Sequence, residues 1–242
     1  MTLDVPDAGD VTAPLPRTLR LRTRTLRGGA CGNGAYVLYV LDGNLRTREN
    51  QALDAALTLA NAHALPLAVL AELREDQPYA SDRHHRFQLE GLRDVQRNLA
   101  ALGVRVCVHV HRPGKRADAA GQLAPRAALT VVDDLPTRPY RQRRERLLGS
   151  VEAADGGPVL AVDASCLVAM RQIDRAYDRA FKFRNATKDL RRTRLDDAFP
   201  PVTPAVARYD GDLGVDSDDL SALDLGWLTA ACAIDHAVPP VP

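Results

Sequence analysis

AYVLYVL at residues 35–41 and ALTVV at 128–132 are short apolar runs dense in β-formers, each ending at an aspartate, Asp42 or Asp133. A run without polar alternation fits a strand buried on both faces, as in a parallel sheet covered by helices. LAVLAEL at 67–73 and PVLAVDA at 158–164 have the same character. Between 104 and 111, Val104, Val106, Val108 and Val110 alternate with Arg105, Cys107, His109 and His111. That period of two predicts an edge strand with one wetter face.

Helical patterns separate these runs. Asn50 can cap a helix carrying Ala52, Leu53, Ala56, Leu57 and Ala60 at helical spacing, before Pro66. Ser81 or Asp82 can start a longer one, with Leu92, Val95, Leu99 and Leu102 on one stripe and Gly103 as its stop. Further helical segments are predicted near 116–123 and 138–148. Strands alternating with helices demand right-handed crossovers. The prediction is an α/β, Rossmann-like doubly wound sheet of five parallel strands in the order 3-2-1-4-5, with helices on both faces and an extended C-terminal tail. Ligands of such sheets bind outside the carboxyl ends of the strands where the winding reverses, here strands one and four. Leu41, Asp42, Asn44, Arg46 and Asp133 are therefore the candidate binding residues. Asp133, Asp134 and Asp163 could equally cap the turns they open, and Arg46 and Asn50 could serve as an ion-pair partner and a cap without any ligand.

The chain has 242 residues, 45% of them hydrophobic, enough for one substantial core. Its apolar runs fall far short of the roughly 18 residues that would cross a membrane. Aspartates at 4, 7 and 10 interrupt any secretory leader, so a cytoplasmic protein is expected. The four cysteines, Cys31, Cys107, Cys166 and Cys232, are dispersed without metal-ligand spacing, and no metal site is expected. His84, His85, His109 and His111 read as surface histidines. GGACGNG at 28–34 precedes a strand instead of joining strand to helix, so a linker fits better than a phosphate loop. No GxSxG elbow marks a nucleophile, and no catalytic residue is assigned.

Charge is uneven. From 171 to 194 nine basic residues outweigh Asp174, Asp178 and Asp189, for a local charge of +6. From 196 to 242 nine aspartates oppose Arg208 alone, for −8. The predicted organisation is a flexible basic lead (1–34), the α/β domain (35–168), a basic helical segment (169–198) and an acidic, proline-containing connector (199–242). The basic segment can be a solvated or domain-contacting helix, or can contact nucleic acid through Arg179, Lys182, Arg184 and Lys188.

NLRTRENQAL at 44–53 resembles the photolyase and cryptochrome signature of Leu, Arg, two variable residues, an acid, Asn, one variable residue, Ala and Leu. Leu45, Arg46, Glu49, Asn50, Ala52 and Leu53 match it. RHHRFQLEGLRDV at 83–95, VDD with Arg138, and VLAVDA at 159–164 resemble successive elements of class II deoxyribodipyrimidine photolyases, and GWLTAACAIDHAVPPVP at 226–242 resembles the connector to their flavin domain.

The resemblance implies an N-terminal antenna domain that could hold a deazaflavin, folate or flavin chromophore, with FAD and the lesion pocket outside this chain. It further implies a separately encoded FAD-binding half as partner, DNA contact through that partner, and no catalysis alone. The alternatives are a repurposed nucleotide or small-molecule module, or an inactive truncated photolyase.

Overall fold

A computed structural model describes residues 10–77, 80–196, 204–205, 207–222 and 224. The predicted runs are strands: β2 (Val37–Leu41), β3 (Leu67–Arg74), β4 (Arg105–His111), β5 (Leu129–Asp133) and β6 (Val159–Val162). They pair in parallel in the order β4-β3-β2-β5-β6, which is the expected 3-2-1-4-5. Helices α2 (Gln51–Ala62) and α3 (Asp82–Ala100) cover one face, to which Val37, Tyr39 and Leu41 point. Helices α4 (Ala119–Leu123) and α5 (Arg138–Ala153) cover the other, to which Tyr36, Leu38 and Val40 point. The caps form as the sequence implies. Asn50 Oδ1 accepts from the Ala52 and Leu53 amides, Ser81 Oγ accepts from the His84 amide, and Gly103 takes φ +74° beyond α3.

The sheet has a sixth strand, which corrects the expected five. β1 (Thr23–Arg27) lies within the expected flexible lead and runs antiparallel to β6, with Thr23 opposite Val162. Ahead of it, α1 (Arg17–Arg20) and the residues before α1 bury Val11, Leu15 and Leu19 in the core shared with α2. The stretch LRTRTLR lacks an apolar run because an edge strand needs only backbone pairing, and its arginines suit an open edge. Arg24 reaches across to Asp134 at 3.0 Å.

The segment 171–194 is not one helix. A 3₁₀ turn (Met170–Gln172) is followed by α6 (Ala180–Ala186) and α7 (Lys188–Asp196). Thr187, 2% exposed, separates them, and its hydroxyl donates to the Phe183 carbonyl. Neither helix has a buried residue of its own, so no packing holds a longer helix together.

The described part of the acidic tail is a strap. Leu213 joins the α4–α5 face and Leu220 the α2–α3 face, so the chain between them rounds the open edge of β4. There the Asp218 amide donates to the Val108 carbonyl at 2.7 Å, and the Arg116 guanidinium grips the Asp218 carboxylate at 2.6 and 3.0 Å. The strap and the turn after β4 together bury what alternation marked as a wet face: His109 and His111 are 3% and 9% exposed. His85 is also buried, leaving His84 as the exposed member of its pair. Among the described residues no helix is long and apolar enough to cross a membrane.

Candidate functional site at the carboxyl ends of the strands

Asp133 ends β5 and is 1% exposed. It accepts from the Tyr39 hydroxyl at 2.8 Å and from the Asp42 and Gly43 amides at 3.1 and 3.0 Å. Burial pushes its carboxyl above the ordinary range despite these bonds, and burial likewise lifts the Tyr39 phenol. Asn50 completes the network. Besides capping α2, it donates through Nδ2 to the carbonyls of Asn44 and Arg46 at 3.2 and 3.0 Å. The loop after β2 is thereby fixed over the switch point from both sides.

Asp42, Asn44, Arg46 and Asp133 come together here, whereas Leu41 turns into the α2–α3 core. Arg46 donates to Asn44 Oδ1 at 3.2 Å and to the carbonyls of Glu49 and Ala164. It therefore ties the β2 loop to the end of β6 through carbonyl oxygens, in place of an ion pair. Asp163 caps its own turn, accepting from the amides of Ser165, Cys166 and Met170. Asp134 pairs with Arg144 at 2.8 Å as well as with Arg24. Among the described residues Asn44 Nδ2 and Asp42 Oδ1 make no well-aligned hydrogen bond, although the Asn44 side chain helps to hold the Asp133 carboxyl down. Asp42 Oδ1 lies 2.9 Å from the Arg143 guanidinium, close enough for charge attraction but not aligned for a bond.

Beside this loop, a polar cavity of about 160 Å³ opens between the starts of α3 and α5, lined by Asp42, Glu72, Arg74, His85, Tyr140 and Arg143 among others. Glu72 is the hub of its wall. It meets Arg74 at 3.1 Å and Arg143 at 3.5 Å, and accepts from the Ala119 amide at 2.9 Å. Burial raises the Asp42 carboxyl to about 6, with Arg143 opposing. Asp42 can thus change charge near neutrality in a wall that offers both donors and acceptors.

Sequence reasoning missed Glu72, Arg74, Tyr140 and Arg143. The first two were visible as charges ending an otherwise apolar strand, while the α5 pair carried no distinguishing signal. The nucleic-acid candidates lie elsewhere. Arg179 precedes α6, Lys182 pairs with Asp178 at 3.0 Å, Arg184 is in the last turn of α6 and Lys188 begins α7; all are exposed. The 28–34 loop lies at the opposite, amino-terminal ends of the strands, where the Gly32 amide donates to the Ala128 carbonyl.

A family model described as DNA photolyase matches residues 37–205. The deoxyribodipyrimidine photo-lyase of Methanothermobacter thermautotrophicus is 41% identical over 80 residues, which are 33% of this chain and 18% of that protein. Among solved structures, the archaeal photolyase of Sulfolobus tokodaii, solved with two FAD molecules, superposes with a TM-score of 0.56 at 16% identity. The match covers 82% of this chain and 42% of that one, so the chain spans under half the length of that relative. At this identity the superposition establishes the shared α/β fold.

Proposed function

The chain belongs to the DNA photolyase family, and from that premise we propose that it is the α/β part of a light-driven pyrimidine-dimer repair enzyme, holding an accessory chromophore and not catalytic by itself. The motif matches favour the class II branch. The observation that carries the chromophore role is the polar crevice at the switch point, where Asp42, Glu72, Arg74, Tyr140 and Arg143 line one cavity beside the β2 loop. Donors and acceptors that converge on one crevice where the winding reverses are suited to a polar ligand.

The fit is to the polar edge of a heteroaromatic ring. A cavity of 160 Å³ is below the ~300 Å³ at which small-molecule sites begin, so it does not enclose a tricyclic chromophore. Arg143 would donate to a ring carbonyl and Asp42 would accept from a ring N–H. The bound group would supply only excitation energy. Electron transfer to a flipped dimer belongs to a flavin. In this reading that flavin belongs to a part outside these 242 residues, through which DNA would be engaged.

An absorption spectrum of the purified chain tests the first part. A near-ultraviolet or blue band that weakens in Arg143→Ala and Asp42→Ala supports it, whereas a purely adenine-like spectrum would replace it with a nucleotide-binding module. Blue-light repair of a dimer-containing oligonucleotide tests the second. No repair is expected from the chain alone, and repair without added protein would overturn that part.

A further inference from the structure

We infer that His109 is a proton-operated clamp, holding the 207–222 strap on the edge of the sheet when its ring carries both protons and loosening it when one is lost. The inference concerns a region apart from the crevice and does not depend on the chromophore role. Nδ1 of His109 lies 2.9 Å from the Asp216 carbonyl oxygen, and Nε2 lies 2.9 Å from the Ala117 carbonyl oxygen. Both neighbours are obligate acceptors. A neutral imidazole has one N–H and one lone pair, so either tautomer satisfies one carbonyl and sets a lone pair against the other. Only the imidazolium donates to both. At 3% exposure, water has little room to repair the mismatch.

Charged groups of both signs surround the ring. Glu72 is opposite His109 in the β3–β4 register. The strap brings Asp212 and Asp216 to the same cleft, where the facing cations are Lys115 and Arg116. Arg116 is itself engaged by Asp218, with Asp216 at 3.7 Å. From β4, Cys107 contacts the same Asp216 carbonyl through sulfur. His111, the other buried imidazole on this strand, is different. Its Nδ1 meets the Arg116 carbonyl, but its Nε2 is 3.6 Å from the Asp76 carboxylate, and neither partner is on the strap.

The clamp joins strap to sheet at one point. Ala117 belongs to the turn after β4 and Asp216 to the strap, so losing a ring proton breaks the connection on one side or the other. The neighbouring Asp218 amide bond to Val108 joins the strap to the backbone of the edge strand, and its protection reports docking. Release would free the edge of β4.

The test is nuclear magnetic resonance on the full chain between about pH 5 and about pH 8, where an unperturbed imidazole changes charge. Long-range ¹H–¹⁵N correlation should show both His109 nitrogens protonated at the acid end. Protection of the Asp218 amide, corrected for intrinsic exchange, should fall about tenfold or more toward the alkaline end, as expected for one charge-assisted bond lost. In His109→Gln the fall should vanish. A singly protonated His109 ring at the acid end, or protection that is constant across the range, would overturn the clamp. So would a fall that persists in His109→Gln, which would place the switch at His111 or the aspartates. Should that variant not fold, the wild-type ring spectrum and Asp218 protection decide together.

Discussion

Asp54 stands in the first turn of α2, 7% exposed, and its Oδ1 has no hydrogen-bond partner among the described residues. Burial raises its carboxyl from 3.8 to about 6. An acid whose folded value is raised holds its proton more tightly when folded, so its contribution to stability falls as pH rises from about 4 to about 6 and stays reduced above. Asp54→Asn removes the penalty. It should stabilise the protein by ~1–2 kcal/mol at pH 7, less than the full shift implies because a first-turn carboxylate gains from the helix dipole. Urea unfolding should show the difference shrinking to nothing near pH 4; equal stability at pH 7 would refute this account. Asp133 is the opposite case. Its carboxylate serves Tyr39 and two loop amides, so Asp133→Ala should cost ~2–4 kcal/mol by the same measurement. The importance of Asp133 was legible, since it ends a buried strand at the switch point. The unmet oxygen of Asp54 was not, because an apolar helical stripe says nothing about what covers the opposite side.

At the scale of elements, glycines separate close approach from mere punctuation. A Cβ on Gly34 would lie 2.2 Å from the Ala128 nitrogen, and one on Gly157 would lie 2.3 Å from the Ala128 oxygen. These two backbones clasp the entry to β5. Gly34→Ala or Gly157→Ala should therefore each cost ~1–3 kcal/mol by overpacking against main chain that has no rotamer to yield. Gly149, inside α5, would meet nothing within 4 Å. Gly149→Ala should stabilise by ~0.5–1 kcal/mol, and thermal unfolding of the three variants checks both signs. The sequence marked 28–34 as irregular, which it is, but as a linker. A tertiary approach to Ala128, nearly a hundred residues away, leaves no local period to read. The α6–α7 break has a similar origin, because Thr187 turns inward in a segment whose composition suits a continuous helix.

Across the whole molecule, the order of the five parallel strands was legible because buried runs joined by helices admit few right-handed windings. β1 and the strap were not, for a shared reason. Each protects an outer edge of the sheet, through backbone bonds, arginine–aspartate pairs and a few apolar anchors, none of which writes a periodic pattern. The acidic bias of the tail did foreshadow the Arg116 contact without showing where it would be made. Leu213 and Leu220 anchor the strap on opposite faces at 2% and 0% exposure. Leu→Ala at either should cost ~2–5 kcal/mol if the rest of the strap stays in place. Anchors on separate faces with no shared partner should then add. If the strap docks as one unit, losing either anchor releases both, and the double variant should be no less stable than the worse single variant by more than ~0.5 kcal/mol. We expect the second outcome, because the contacts between the anchors, those of Gln96, Cys107, Val108, His109 and Arg116 with Asp216 and Asp218, are close together and dock or release as a group. A double-mutant cycle in urea separates the two, and simple additivity would mean that the two ends of the strap fold independently.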